Sequence, residues 1–301
     1  MSDANLTTSG LTLMAVHAHP DDESNSTGAT LARYSAEGVR TVLVTCTNGE
    51  FGDAPGHIKP GEEGHDPDDV ARIRLGELDV ATEALGITDI EILGYRDSGM
   101  HGWPQNDDPN AFHAQDDDTV VAQLVALMER YRPQVVVTYF GNSGYNHPDH
   151  LKAHDMTRRA VEESGIPQKL YLIARPRSYR ERMREIAQEY GIEMPALPTP
   201  PPPDPATDVA APDASASDSG APPPRPFGVD DDVITTHIDG SDYAKQKQAA
   251  LAAHQSQLEG SFFLRFPDEA FPKVFGVETF IRELDTTGAP LPEDDLFAGL
   301  R

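Results

Sequence analysis

The chain is poor in cysteine, in basic residues and in long apolar runs, and each shortage removes a class of protein. A single cysteine, Cys46, among 301 residues leaves no intramolecular disulfide and no cysteine-based zinc site. It sits in an apolar, strand-like run where a buried, inert thiol is expected, and a reducing cytoplasmic home fits. No stretch of about 18 apolar residues is present, so nothing reads as a membrane span. The start (MSDANLTTSG) is polar and acidic, without the basic and apolar regions of a signal peptide. Only 24 Lys and Arg stand against 50 Asp and Glu, a net charge of -26. Such a surface repels nucleic acids and anionic membranes, which are bound by basic side chains. It describes a highly soluble protein with a small-molecule partner. The acidic runs at 116–118 and 230–232 lack the spacing of a calcium loop. No Gly-x-Gly-x-x-Gly follows the first apolar run, and the two aspartates there would repel a pyrophosphate; a nucleotide-binding module is disfavoured.

What the chain does have is alternation. Leu11–His17, Val39–Thr45, Ile90–Leu93, Gln134–Phe140 and Lys169–Ala174 read as strands, and Thr27–Glu37, Asp69–Leu85, Thr119–Tyr131 and Leu151–Glu163 as helices. Gly38 and Gly86 stand where helix C-caps are expected. Strands alternating with helices predict an α/β fold: a Rossmann-like, mostly parallel sheet with helices on both faces. Residues 194–226 hold 12 of the 26 prolines amid small polar residues, the composition of a disordered or polyproline-like insertion. The expected organisation is therefore a catalytic core over 1–193, the insertion over 194–226, and 227–301 completing the pocket of the same domain. In that smaller α+β portion Val233–Ile238 and Val274–Leu284 read as strands, Tyr243–Leu258 as a helix, and the tail from Asp285 to Arg301 as peripheral.

Two segments carry chemistry: Ala18-His19-Pro20-Asp21-Asp22-Glu23 and His147-Pro148-Asp149-His150. Each follows a predicted strand and precedes a helix, so each belongs at the carboxyl edge of the sheet, where open α/β folds bind ligands. They converge there if their strands are neighbours. His19 and Asp22 flank a proline that stiffens the turn, and His150 completes a set of two imidazoles and one carboxylate. Three such ligands with an open position build a catalytic zinc site, and the same set suits ferrous iron. Asp21, beside a ligand, is free to accept a proton from a metal-activated water. His147, with Asp149 two residues on, is expected to stay protonated and to serve an oxyanion or a leaving amine. Tyr145 offers a phenolic donor to the same charge. His154, four residues after His150, is an alternative ligand to His19. Glu23 and Ser24 read as capping residues, and His57, His65, His101 and His113 as solvated loop residues.

These paired motifs resemble the LmbE-like (PIG-L) superfamily of zinc-dependent N-deacetylases, over nearly the whole chain outside 194–226. The resemblance is closest to the mycothiol branch, the N-acetylglucosaminyl-inositol deacetylase and the mycothiol S-conjugate amidase. It is supported by Val44-Thr45-Cys46-Thr47 with Gly49-Glu50, Arg74-Leu75-Gly76-Glu77-Leu78, Arg96-Asp97-Ser98-Gly99-Met100, and Pro133 to Tyr139 leading into Gly144-Tyr145. It implies His19, Asp22 and His150 as zinc ligands and Asp21 as general base. It further implies His147 as oxyanion or acid group tuned by Asp149, Tyr145 as a mobile donor, and Arg74 and Asp97 as substrate-binding residues. The expected activity is hydrolysis of an N-acyl group from an N-acetylglucosamine-type sugar, with the conjugate amidase as alternative. A non-catalytic binder needs neither Asp21 nor His147.

Overall fold

The computed structural model describes residues 10–141, 147–194 and 228–301. Tyr145 and, apart from Met194, the expected Pro-rich insertion at 194–226 lie outside the described residues. β1 (Thr12–His17) leads into the short α1 (Asp22–Ser26) and α2 (Gly28–Ala36), followed by β2 (Arg40–Thr47), α3 (Pro67–Leu85) and β3 (Asp89–Tyr95). Then come α4 (Asp117–Tyr131), β4 (Val135–Tyr139), α5 (Pro148–Ser164), β5 (Lys169–Ile173) and α6 (Ser178–Glu189). The C-terminal part supplies β6 (Thr236–Asp239), α7 (Ala244–Ala253), α8 (Gln255–Leu258), α9 (Phe271–Phe275) and β7 (Val277–Asp285).

The strands form one mostly parallel sheet in the order β3-β2-β1-β4-β5-β7-β6, antiparallel only where β7 meets β5 and β6. β1 and β4 are direct parallel partners, with Leu13 beside Val135 and Ala15 beside Val137. Their continuous apolar runs follow from burial on both faces. Met14 and Val16 pack with Leu124 and Met128 of α4 and Met156 of α5, while Leu13 and Ala15 pack with Leu31 of α2 and Leu78 of α3. Local chemistry sets the helix ends. Asp66 caps α3 by accepting from the Asp68 and Asp69 amides, Pro67 opens it, and Gly86 closes it in the left-handed region. Among the described residues no helix is long and apolar enough to cross a membrane.

The departures from the sequence reading concentrate in the C-terminal part. The run 243–258 is two helices broken at His254, and the run 274–284 begins as the last turn of α9 before β7. Pro272 starts that turn, and at Gly276 a Cβ would stand 2.5 Å from the Pro272 carbonyl oxygen. Residues 231–233 form a single 3-10 turn, so β6 starts only at Thr236. α6 was not anticipated, because its sequence is mostly charged; it buries Met183 and Ala187.

The tail is not peripheral. Leu296 and Phe297 are fully buried, and Glu293 accepts from Lys169 Nζ at 2.6 Å, Arg282 Nη1 at 2.8 Å and the Tyr171 hydroxyl at 2.8 Å. The reason is electrostatic: Lys169 lies wholly inside the protein, and a buried ammonium requires a buried counter-charge. Glu293→Ala should strand that charge and cost about 3–5 kcal/mol of stability. Urea unfolding measures it, and a loss below about 1 kcal/mol would show that the tail is fastened by its apolar contacts instead.

Candidate active site

Both motifs stand at the carboxyl ends of the adjacent β1 and β4. The second is a helix start: Pro148 takes the first position of α5, and His147 caps it, its Nδ1 accepting the Asp149 amide at 3.2 Å. The helix N-terminus thereby holds His147 and His150 over the end of β1. The first motif is a tight turn into α1. Asp21 stands there at φ 122° and ψ -25°, a conformation that costs a non-glycine residue about 1–3 kcal/mol.

Asp22 is the hub. Its Oδ2 accepts the His19 amide at 2.9 Å and the Tyr139 hydroxyl at 2.7 Å, with His19 Nδ1 at 3.3 Å and His150 Nε2 at 3.4 Å. Burial opposes ionisation of Asp22, but the two imidazoles outweigh it and hold its pKa well below the usual carboxylate range. The Tyr139 ring stacks on His150 at 4.0 Å, and its hydroxyl also accepts the Ala18 amide at 2.6 Å. Donor atoms of His19, Asp22 and His150 lie within 4.8 Å of one another. Two imidazoles and a carboxylate, mostly buried and converging, suit a divalent metal.

On the other face of His19, Asp149 stands nearer to that ring than to His147. Asp149 Oδ2 lies 3.2 Å from His19 Nε2 but 4.0 Å from His147 Nδ1. The carboxylate is pinned by the Ser98 amide at 2.9 Å and by the Ser98 hydroxyl. Asp149 is therefore placed to hold the His19 ring, in the carboxylate–histidine arrangement that would support a metal ligand. Burial first and the charge of His19 second lower the His147 pKa well below its ordinary value, against the pull of Asp97. With Nδ1 accepting from the Asp149 amide, a neutral His147 carries its proton on Nε2, where it can donate.

A cavity of about 290 Å³ opens over these groups, lined by His19, Asp21, Asp22, Asp97, His147 and His150, with Phe51, Trp103 and Gln257 at its wall. Asp21 faces it from beside Arg74, whose Nη2 is 3.1 Å from Asp21 Oδ2. Loss of surrounding water and the charge of Asp22 raise the Asp21 pKa to about 6, with Arg74 resisting. Such a group is ionised at neutral pH yet a stronger base than an ordinary carboxylate. Arg74 also lines the cavity, but its guanidinium is committed to the Gly49 carbonyl at 2.7 Å and the Pro20 carbonyl at 2.5 Å. Gly49 is required for that approach, since a Cβ there would stand 2.5 Å from Arg74 Nη1. Asp97 accepts from the Gly99 amide at 2.8 Å and lies 3.6 Å from His19 Nε2.

Several residues escaped the sequence reading. Tyr139 and Ser98 touch the hub and its support, and only their positions, at the end of β4 and inside the Arg96–Met100 segment, hinted at this. Glu23 is no simple cap: it is fully buried, accepting from His254 Nε2 at 2.7 Å. His65 and His113 are half-buried, bonded to the Gly52 and Asn106 carbonyls. His154 Nδ1 is bonded to the Tyr139 carbonyl at 2.8 Å, and among the described residues it belongs to no cluster able to hold a metal. Cys46 is buried, which pushes its thiol pKa up.

Comparison with known proteins matches the same segments. The deacetylase named for 1D-myo-inositol 2-acetamido-2-deoxy-alpha-D-glucopyranoside from Geodermatophilus obscurus is 39% identical, covering 96% of this chain and 97% of its own. Among solved structures, N,N'-diacetylchitobiose deacetylase from Pyrococcus horikoshii aligns with a TM-score of 0.52 at 17% identity, covering 91% of this chain and 84% of that one. The 4-carboxy-2-hydroxymuconate hydratase of Pseudomonas putida KT2440 aligns at 0.56 with 15% identity, covering 93% and 99%. Those two likenesses concern the fold alone, since one scaffold there carries two chemistries. Residues 14–161, which include both motifs, match the GlcNAc-PI de-N-acetylase description, and the chain belongs to that PIG-L family of N-deacetylases.

Proposed function

We propose that the protein hydrolyses the N-acetyl group of an N-acetylglucosaminide, with 1D-myo-inositol 2-acetamido-2-deoxy-alpha-D-glucopyranoside, named for its relatives, as the leading substrate. The observation that carries this reading is the convergence of His19, Asp22 and His150 beside Asp21 in one cavity. His19, Asp22 and His150 are assigned to a divalent metal, zinc in this proposal, with ferrous iron sharing the same donor set. When bound, such a metal polarises the acyl oxygen and lowers the pKa of water towards about 7. Asp21, oriented by Arg74, takes the proton of the attacking water as its oxygen bonds to the amide carbon. His147, through Nε2–H, donates to the developing oxyanion, with Tyr145 assigned as a second donor. The carbon–nitrogen bond breaks as the proton held by Asp21 passes to the leaving amine, releasing acetate and the free amino sugar. Carboxylates such as Asp97 suit a neutral polyol, whose hydroxyls donate to them. Residues 1–193 and 227–301 are proposed as one catalytic domain interrupted by the Pro-rich segment, supported by the pairing of β7 with β5. A cytoplasmic location is in keeping with the single buried thiol.

The decisive assay is release of free amine from a panel of N-acetylated glucosaminides by as-purified, chelated and zinc-restored protein. Metal-dependent turnover of one glucosaminide establishes the reading, whereas turnover of only a bulky thiol conjugate would replace it with amidase activity. Asp21→Ala should lower kcat by about 10²–10⁴-fold while bound metal stays stoichiometric; unchanged turnover would remove Asp21 from the chemistry.

A second prediction concerns the support of the metal. Ser98→Ala removes one of the two bonds that pin Asp149 and should weaken metal affinity about 10-fold in chelator competition. An unaltered affinity would refute the role of Asp149 as the brace of His19.

A further inference from the structure

The least comfortable backbone in the site belongs to Asp21, whose φ of 122° is a conformation that side chains other than glycine rarely adopt. Strained residues persist only where their surroundings over-determine them. Arg74 Nη2 lies 3.1 Å from the Asp21 carboxylate and bonds the preceding Pro20 carbonyl at 2.5 Å, and the Asn25 amide donates to the Asp21 carbonyl at 3.1 Å. The remaining contact, to the Asp21 amide, leads out of the site. The Asp21 amide donates to Glu23 Oε2 at 3.0 Å, and the other oxygen of Glu23 accepts from His254 Nε2 at 2.7 Å and from the Ser24 hydroxyl at 2.5 Å.

His254 sits at the break between α7 and α8, 231 residues away in sequence and fully buried. Its own position is fixed from the far side. The Ser256 amide and hydroxyl bond to Glu77 of α3 at 2.7 and 2.6 Å, and Gln257 exchanges hydrogen bonds with the backbone of Asp53 at 3.1 and 2.8 Å. The break in the helix is what lets His254 point at α1 while Ser256 clasps α3 and Gln257 the cavity wall. His254 touches neither the cavity nor any of the assigned metal ligands.

We infer that the His254–Glu23 pair is a positioning device for the reaction, a brace from the C-terminal part that locks the backbone of Asp21 so that its carboxylate is aimed into the cavity and away from Asp22. The inference rests on the assignment of Asp21 as the base. The geometry explains why adjacent carboxylates have separate partners: Asp22 is bound to Tyr139 and the imidazoles, Asp21 to Arg74. Without the brace, the strained amide relaxes and the Asp21 carboxylate swings off line. Misplacement of a reacting group by about 1 Å can cost about 10²-fold in rate.

The test measures kcat, KM, bound metal and thermal midpoint for H254L, H254Q and E23Q, with D21A as the control. Glutamine places an amide donor near the site of histidine Nε2, the one ring nitrogen that His254 uses. H254L is expected to lose about 10–100-fold in kcat with KM and bound metal unchanged, H254Q to restore most of it, and E23Q, which cannot accept from both partners, to lose kcat like H254L. A folded H254L or E23Q with wild-type kcat overturns the inference. So does a loss that appears in KM or in metal content, or one that H254Q fails to restore. Should H254L not fold, E23Q decides by the same criteria. Activity surviving in D21A would instead sink the assignment of the base, an outcome separate from failure of the brace.

Discussion

The site exists because β1 and β4 are parallel neighbours. Sequence separates His19 from His147 by more than a hundred residues, and only the pairing of Leu13–Ala15 with Val135–Val137 brings the two turns to one edge. That pairing reverses the direction in which the sheet grows, towards β2 and β3 on one side and β5 on the other. A crevice forms where the order reverses, because the loops that leave the two strands diverge to opposite faces. Shape and chemistry thus have one origin. Tyr139, the last residue of β4, is the physical stitch: its hydroxyl bridges the Ala18 amide and the Asp22 carboxylate, so the end of one strand grips the turn after the other.

The second constraint is charge. Asp22, Glu23 and Asp149 are buried in the two turns, and Asp97, from the loop after β3, is buried beside them. Each is provided with donors rather than left to repel its neighbours: imidazoles for Asp22, His254 for Glu23, the Ser98 amide and hydroxyl for Asp149, and the Gly99 amide for Asp97. This concentration of negative charge raises the pKa of His19 well above its ordinary value, although burial acts in the opposite sense. A region that so favours one additional positive charge is chemically prepared for a divalent cation. Asp21 differs: burial and the charge of Asp22 raise its pKa to about 6 even with the Arg74 guanidinium 3.1 Å away, and it is the carboxylate assigned to carry a proton.

The core of the fold was legible because its strands are buried on both faces and its helices carry their caps in sequence. Gly86, read as a C-cap, closes α3 in the left-handed region, and the runs Asp69–Leu85 and Leu151–Glu163 fall within α3 and α5. The first turn of the site was legible for the same reason, since a proline between His19 and Asp22 constrains both. What could not be read was direction. Asp149 is two residues from His147, and adjacency in sequence suggested that they act together. At the start of a helix, however, residues i and i+2 project to different sides, and the carboxylate turns to His19 across the crevice. The buried tail was likewise hidden. Its anchor is a partnership of Glu293 with Lys169, 124 residues apart, and no periodicity announces it.

The division of labour within the chain follows from these contacts. Residues 14–161, the family-matched segment, contain every residue assigned to the metal and to proton transfer, yet they do not close the site. Gln257 at the cavity wall comes from α8, and His254 behind Glu23 from the break just before it. That stretch is held in register by Glu77 of α3 on one side and by the packing of Ala250 against Ala32 and Ala81 on the other. The likeness to the hydratase is one of fold alone. The metal-competent donors set what kind of chemistry is available. On the proposed assignment of Asp21 as the base, its backbone, held through Glu23 by His254, would set where a proton is taken, and the C-terminal part would then serve the reaction without supplying an assigned metal ligand.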